Sequence, residues 1–291
     1  MKTIVITGAS GLLGRHLVDY FRRREWTVRA LVRDPSQSPF AARDVETFLA
    51  RLPDELDEKA FAGADVVVHA AYSIDDKNPA VARRVNEDGT ARVLAASRAA
   101  AVRKFIFVSS FAAHPGAQSY YGRSKLALEL RLDPSRDLVL RPGLVLAASG
   151  GLFERMRRSI ERSPVVPVVG GGTQILQTVH IDDLCMAFER AVDLDLSGAL
   201  NVAEPDGVTM RDFLGMIAGR LNRRLVLVPV PLTPVLGVVR GLERLRLPSP
   251  VSSDNVLGLQ AMRHTPTTAD LKKLGIRVRT TAESLADLIT R

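Results

Sequence analysis

Tyr121 and Lys125 form an i, i+4 pair in the run Tyr121-Gly122-Arg123-Ser124-Lys125, and Ser110 stands a short distance upstream. A phenol, an ammonium and a hydroxyl are groups for carbonyl chemistry. The phenol exchanges a proton, the cation lowers its pKa, and the hydroxyl donates to an oxygen on which charge develops. On a helix, residues at i and i+4 share a face, so the spacing predicts that Tyr121 and Lys125 project together. Ser110, preceded by Ser109, closes the run Lys104-Phe105-Ile106-Phe107-Val108, which reads as a buried parallel strand. Active-site groups of open α/β sheets gather at the carboxyl ends of such strands. In a chain with 4 tyrosines and 40 basic residues a Tyr-x-x-x-Lys pair also arises by chance, so its meaning depends on the elements around it.

The first of those elements is N-terminal. Lys2-Thr3-Ile4-Val5-Ile6-Thr7 is β-rich, Gly8-Ala9-Ser10-Gly11-Leu12-Leu13-Gly14 follows, and Arg15 to Arg24 is amphipathic. Strand, glycine loop and helix in that order present backbone N–H groups and the positive end of a helix to a pyrophosphate. Gly8, Ser10, Gly11, Leu12, Leu13 and Gly14 are therefore the candidate phosphate-binding residues. The spacing is G-x-x-G-x-x-G, not the G-x-G-x-x-G of ordinary dinucleotide folds. A plain strand-to-helix turn is the competing reading, and it leaves three glycines at this place unexplained.

Strand and helix patterns then alternate to about residue 145. Strands are expected at 2–7, 27–32, 45–49, 65–70, 104–109 and 137–141, and helices over 79–100 and 120–130. The alternation predicts an α/β fold with a Rossmann-type doubly wound parallel sheet. After Pro142 the texture changes. Ser149-Gly150-Gly151, Ser163-Pro164, Pro167 and Gly170-Gly171-Gly172 break the chain into short pieces, and Pro229, Pro231, Pro234, Pro248 and Pro250 do so again. There is no internal repeat and no low-complexity linker.

Taken together, these motifs resemble the extended short-chain dehydrogenase/reductase family, also called the NAD-dependent epimerase/dehydratase family. The resemblance runs nearly end to end. Beyond Thr7 to Gly14 it takes in Asp65-Val66-Val67-Val68-His69-Ala70-Ala71, Asn86-Glu87-Asp88-Gly89-Thr90, Val108-Ser109-Ser110 and Tyr121 to Lys125. Further on it includes Leu140-Arg141-Pro142-Gly143, Val179-His180-Ile181-Asp182-Asp183-Leu184 and Leu200-Asn201-Val202. The resemblance implies an NAD(P)-binding Rossmann domain over 1–145 plus about 179–204. A smaller C-terminal substrate-binding lobe would comprise about 146–178 and 205–291. By the same resemblance Ser110, Tyr121 and Lys125 are catalytic, with Ser109 in the serine role if the register slips by one. Asn86 would support the lysine through water. Ala70, Ala71, Pro142, Tyr121 and Lys125 would contact the cofactor, Lys125 at the nicotinamide-ribose hydroxyls. Members are commonly dimers through helices of the main domain, which makes a homodimer the assembly implied.

The end of the second strand bears on the cofactor. An acidic side chain there hydrogen-bonds the adenosine ribose, whereas arginine accommodates a 2′-phosphate. Here Val32 stands where NAD-using members have aspartate and Arg33 follows, so NADP(H) is favoured over NAD. The competing reading sends Arg33 to solvent and Asp34 to the ribose. His69 reads as a packed strand-end residue. His180-x-Asp182-Asp183 lacks partners for a metal, and Asp182 or Asp183 reads as a helix N-cap. No metal is implied.

Composition narrows the partners to a small-molecule substrate. The net charge is +8, but the arginines are scattered, as in Arg22-Arg23-Arg24, Arg83-Arg84, Arg157-Arg158 and Arg223-Arg224. Neither a basic tail nor an aromatic array accompanies them, so solvated helix faces explain them and no nucleic acid is expected. No apolar run is long enough to span a bilayer and the first residues read as a core strand, so the chain is expected in the cytoplasm with no membrane partner. The apolar, proline-broken stretch Leu225 to Leu247, which carries Arg240, Arg244 and Arg246, reads as a lobe helix, with a membrane-surface or partner-docking role as the alternative. Cys185, flanked by Leu184 and Met186, reads as core.

The reaction class follows from what is missing. Dehydratases of the family need an acidic pair after the catalytic hydroxyl, and here the residues are Phe111-Ala112-Ala113-His114. Nucleotide-sugar epimerases carry asparagine and arginine where this chain has Leu144 and Leu176, and leucine cannot pair with a pyrophosphate. These losses favour reduction of a smaller or more apolar carbonyl compound. Two readings stay open beside it. One is a nucleotide-sugar 4-epimerase or 4-ketoreductase in which Arg157, Arg162 or Arg263 compensates. The other is a non-catalytic NADP(H)-binding redox sensor or accessory subunit.

Overall fold

A computed structural model describes residues 2–40, 44–73, 78–245, 247, 252–260 and 262–290. Arg246, Pro248 and Pro250, noted above, lie outside the described residues. The strands are β1 Thr3–Thr7, β2 Thr27–Val32, β3 Glu46–Arg51, β4 Glu55–Leu56, β5 Val66–His69, β6 Lys104–Val108 and β7 Leu138–Pro142. They continue with β8 Leu144–Leu146, β9 Val165–Val169, β10 Ile175–Leu176, β11 Thr178–His180, β12 Gly198–Val202, β13 Val208–Thr209 and β14 Val226–Val230. The helices are α1 Leu12–Arg22, α2 Pro79–Ala99, α3 Tyr120–Glu129, α4 Gly151–Arg162 and α5 Ile181–Asp193. They end with α6 Met210–Arg220, α7 Leu232–Arg244, α8 Ser253–Gln260, α9 Thr268–Leu274 and α10 Thr281–Leu288.

The main sheet has eight strands in the order β12-β7-β6-β5-β1-β2-β3-β4. The six strands expected from the sequence all form, within a residue or two, and the pairs from β3 through β2, β1, β5 and β6 to β7 are parallel. The fold is thus the Rossmann-type α/β sheet that the alternation predicts. β5 and β6 are buried at every position, because parallel strands covered on both faces have no solvent side to alternate toward. The order reverses direction between β1 and β5, and in such sheets the loops at the carboxyl ends of the strands at this reversal hold the ligand.

The chain folds as two compact units. The first comprises Met1–Ser109, Ala127–Arg141 and Cys185–Leu200, and the second Ser110–Leu126, Pro142–Leu184 and Asn201–Arg291. A core of the first unit gathers Val5, Leu31, Phe61, Val67, Phe105 and Phe107. That of the second gathers Phe153, Ile160, Leu176, Phe213, Ile217 and Leu285. Cys185 is buried in α5, as its apolar neighbours imply. No helix among the described residues is long and apolar enough to cross a membrane.

The motifs that close the resemblance, with Gln177 just before one of them, tie the second unit together. Gln177 accepts the Thr265 N–H at 2.7 Å and its amide reaches the carbonyls of Glu204, Pro205 and Thr265. Asn201 donates its backbone N–H and its side-chain amide to Asp270 at the start of α9. Asp182 and Asp183 are not N-caps. α5 begins at Ile181, two or three residues earlier than that reading requires, so both sit in its first turn, where acidic side chains favour the positive end of the helix. Asp183 accepts the Arg279 N–H at 2.7 Å and pairs with the Arg279 guanidinium, which fixes the segment entering α10.

Candidate active site

The nucleotide-binding candidates lie in the first unit. β1 ends at Thr7, and the chain turns through Gly8, whose φ of +64° is open to glycine at little cost. A Cβ on Gly8 would stand 2.7 Å from the Ala71 backbone nitrogen, and one on Gly14 would stand 2.2 Å from the Gly8 carbonyl oxygen. Loop, helix α1 and the backbone of Ala70 and Ala71 after β5 therefore touch backbone to backbone, which demands the glycines. Gly11 is different: beyond its chain neighbours, its open side meets only the Gly8 oxygen, at 3.1 Å. It precedes Leu12 and Leu13 with no side-chain cap, and no acidic residue occupies the first turn of α1. Uncapped amides, a helix N-terminus and a glycine-floored opening beside exposed Ser10 fit a pyrophosphate.

Behind this loop His69 is buried between Thr7 and Thr90, at 2.7 and 2.9 Å from their hydroxyl oxygens, and stacks on Phe107. It is a packed strand-end residue. Thr7 Oγ1 also accepts the Ala71 N–H at 3.2 Å. Asn86 is buried in α2. Its Oδ1 accepts the Ser73 N–H at 2.7 Å and its Nδ2 donates to the Ser73 carbonyl at 2.9 Å. Those hydrogen bonds clamp the segment that follows Ala71.

At the end of β2, Arg33 is exposed and its carbonyl accepts the Arg51 Nε–H at 2.9 Å. Asp34, the competing ribose ligand, is engaged locally. Its carboxylate accepts both the hydroxyl and the N–H of Ser36, at 2.6 and 3.0 Å, and these bonds hold its pKa below the ordinary value.

The catalytic candidates Ser110, Tyr121 and Lys125 lie in the second unit. The Ser110 hydroxyl is hydrogen-bonded to the Tyr121 phenol, and its oxygen accepts the Ala112 N–H at 3.2 Å. Ser109 has a different role: it donates to Glu129, whose carboxylate also takes the Arg141 guanidinium at two points. The adjacent serines are thus separated by their bonding, one to a buried ion pair and one to the phenol.

Two residues that sequence reasoning did not single out hold Tyr121 in place. Gly122 lies against the turn after Ser110, where a Cβ would stand 2.3 Å from the Ala112 carbonyl oxygen. Any side chain here would push the first turn of α3 away from the serine. Asp254, from α8, accepts the N–H of Tyr120 with Oδ1 and that of Tyr121 with Oδ2, the latter at 3.2 Å. Ser119 Oγ accepts the Gly122 N–H at 3.1 Å, so the start of α3 is fully capped. Glycine between tyrosine and lysine was visible in the sequence. The carboxylate arrives from so far along the chain that no local signal points to it.

Burial pushes the Tyr121 phenol above its ordinary pKa, and the hydrogen bond from Ser110 opposes that shift. Lys125 is itself buried, and desolvation sets the direction of the Tyr121 shift. Pro142 is buried at the end of β7, and its carbonyl accepts the Phe111 N–H at 3.3 Å. Leu176 is buried in the core of the second unit and Leu144 packs against that core. Arg157 pairs with Glu161 on its own helix, while Arg162 and Arg263 are exposed. Among the described residues no three His, Cys, Asp or Glu side chains gather to hold a metal.

Comparison with known proteins gives three findings. Residues 4–203 match the model of the NAD dependent epimerase/dehydratase family. A protein named ceramide reductase from Caulobacter vibrioides is 34% identical over 242 residues, covering 78% of this chain and 73% of that protein. Among solved structures, MoeE5 in complex with UDP-glucose and NAD superposes with a TM-score of 0.75 at 22% identity, over 99% of this chain and 97% of that one. Human epimerase family protein SDR39U1 (isoform 2) with NADPH gives 0.75 at 18% identity, over 99% of each. At these identities the structures speak to the fold.

Proposed function

The chain belongs to the NAD dependent epimerase/dehydratase family, and we propose on that basis that it is an NADP(H)-dependent reductase of an apolar ketone or aldehyde. The observation that carries the reading is the Ser110–Tyr121 hydrogen bond, set at the start of a capped helix. Tyr121 delivers a proton to the substrate oxygen, and Ser110 donates a hydrogen bond to the same oxygen as negative charge builds on it. Lys125 supplies a cation that stabilises the phenolate left behind and binds nicotinamide-ribose hydroxyls. Bound NADPH supplies the hydride. Gly8, Ser10, Gly11, Leu12, Leu13 and Gly14 would hold its pyrophosphate, with Ala70, Ala71 and Pro142 beside the cofactor and Arg33 on the 2′-phosphate. Asn86 would act indirectly, through the segment it clamps.

The NADP(H) preference is supported by Arg33, exposed at the end of β2, and by the engagement of Asp34 with Ser36. The apolar substrate class is supported by Leu144 and Leu176, which belong to a hydrophobic core where an anion site would need donors, and by a relative named for ceramide.

Replacing Tyr121 by Phe tests the assignment. NADPH oxidation on a ketone and aldehyde panel should fall by about 10²–10⁴ while NADPH affinity holds, because only the transferred proton is removed. Near-native turnover by Y121F on a substrate the parent uses would overturn it. Micromolar binding of UDP-, GDP- or dTDP-sugars, lost in Arg263→Ala, would make a nucleotide-sugar 4-epimerase or 4-ketoreductase the better answer. Tight NADPH binding with no turnover of any carbonyl would favour a cofactor-binding sensor.

A further inference from the structure

Helix α7 shows two distinct exposed edges. Val239 faces inward, while Pro234, Val238 and Leu245 are exposed, the last two at 63% and 70%. At 3.6 residues per turn these three fall along one edge, and Arg240 and Arg244 fall along another, with Gly237 and Gly241 between. The adjoining groove is lined by Val230, Pro231, Pro234, Val235, Val238 and Val239, none of them polar. Of nine large apolar side chains exposed among the described residues, five lie between 226 and 247, so the apolar exposure is concentrated here. Arg240 and Arg244 repel one another at i, i+4. Among the described residues neither has an ion-pair partner, and Glu243, the one acid of α7, accepts the Ser253 N–H at 2.7 Å.

We propose that this face of α7 docks on an anionic lipid bilayer, with Pro234, Val238 and Leu245 entering the acyl boundary and Arg240 and Arg244 meeting the phosphates. An apolar edge beside an arginine edge is the arrangement of helices that lie in a membrane interface, and anionic headgroups relieve the repulsion between the arginines. Charge decides against a second copy of this chain, which would set the same arginines face to face on a protein of net charge +8. The stretch forms the lobe helix expected of it, and the exposure of these side chains favours the membrane-surface alternative.

The test uses the full-length protein, needs no turnover, and therefore fails independently of the proposed reaction. Flotation with vesicles of phosphatidylglycerol and phosphatidylcholine should recover the protein, and pure phosphatidylcholine should recover much less. Arg240→Gln with Arg244→Gln should weaken the anionic-vesicle partition about thirtyfold, at roughly tenfold per 1.4 kcal/mol and about 1 kcal/mol per arginine. Val238→Ser with Leu245→Ser should weaken it about tenfold or more, whereas Arg22→Gln with Arg23→Gln, an equal charge change in the other unit, should leave it unchanged. Equal loss in both charge variants would reduce the effect to net charge and overturn the proposal. So would absence of binding at low salt, or a concentration-dependent dimer abolished by the serine substitutions.

Discussion

Gly14 in the first unit and Gly122 in the second do the same mechanical work. Each lets a helix lie on a carbonyl, at hypothetical Cβ distances of 2.2 Å and 2.3 Å. They differ in what the close approach serves. Gly14 presses α1 onto the loop whose open amides suit a phosphate, whereas Gly122 presses α3 onto the turn that carries Ser110. The first glycine belongs to a pattern defined by its glycines. The second is hidden among the unspecified positions of Tyr-x-x-x-Lys. A pattern names the groups that do chemistry and omits the residue that brings them together.

The largest expected effect comes from breaking the two contacts separately. Gly122→Ala should lower the rate of carbonyl reduction about a hundredfold, the cost of moving a catalytic group by about an ångström, while NADPH affinity stays within twofold. Gly14→Ala should do the reverse, weakening NADPH in a fluorescence titration with a lesser effect on rate at saturating cofactor. If both variants lose cofactor equally, the two glycines do not serve separate functions.

Next in size, Arg33→Ala should weaken NADPH by about 1.5–3 kcal/mol and leave NADH nearly unchanged, since only the 2′-phosphate loses its charge-assisted bond. Tighter binding of NADH than NADPH by the parent would reverse the cofactor assignment.

The cap on α3 gives a smaller effect. Asp254→Ala should destabilise the protein by about 1 kcal/mol, seen as a melting-temperature drop of a few degrees. Its kcat should fall more than its KM rises, and Asp254→Asn, which keeps one acceptor oxygen, should recover part of both.

The smallest is a pH effect at His180. Burial, joined by the Arg279 guanidinium, holds its pKa below 6.5 against the pull of Asp182, Asp183 and Asp287. Above about pH 6.5 the imidazole is neutral folded or unfolded. As pH falls, the unfolded chain takes up the proton first, so stability is lost from pH 6.5 downward. Thermal melts from pH 7.5 to 5 should show a steeper decline in the parent than in His180→Gln.

The sheet was legible because β5 and β6 are apolar except for His69 at the end of one and Lys104 at the start of the other, and the glycine loop is contiguous. The lobe was less so. Its motif residues Asp183 and Asn201 bond to Arg279 and Asp270, and Gln177 beside them bonds to Thr265, and nothing local in the sequence announces partners so remote. Asp182 and Asp183 looked like caps because acidic residues are favoured both before a helix and in its first turn, and composition alone does not separate the two. Burial misled at Tyr121, which it raised where charge spacing suggested lowering.

The carboxylate of Asp254 also bears on how such enzymes are recombined. The helix that carries Tyr121 takes its cap from a segment near the C-terminus, so exchanging that segment with a relative's to change specificity exchanges the carboxylate that caps this helix as well. A chimera joined between Lys125 and Asp254 would keep Ser110, Tyr121 and Lys125 and is expected to run slowly unless the donor segment brings an acceptor to the same two amides. Screening junctions for a carboxylate at that place is a cheap filter for libraries built on this scaffold.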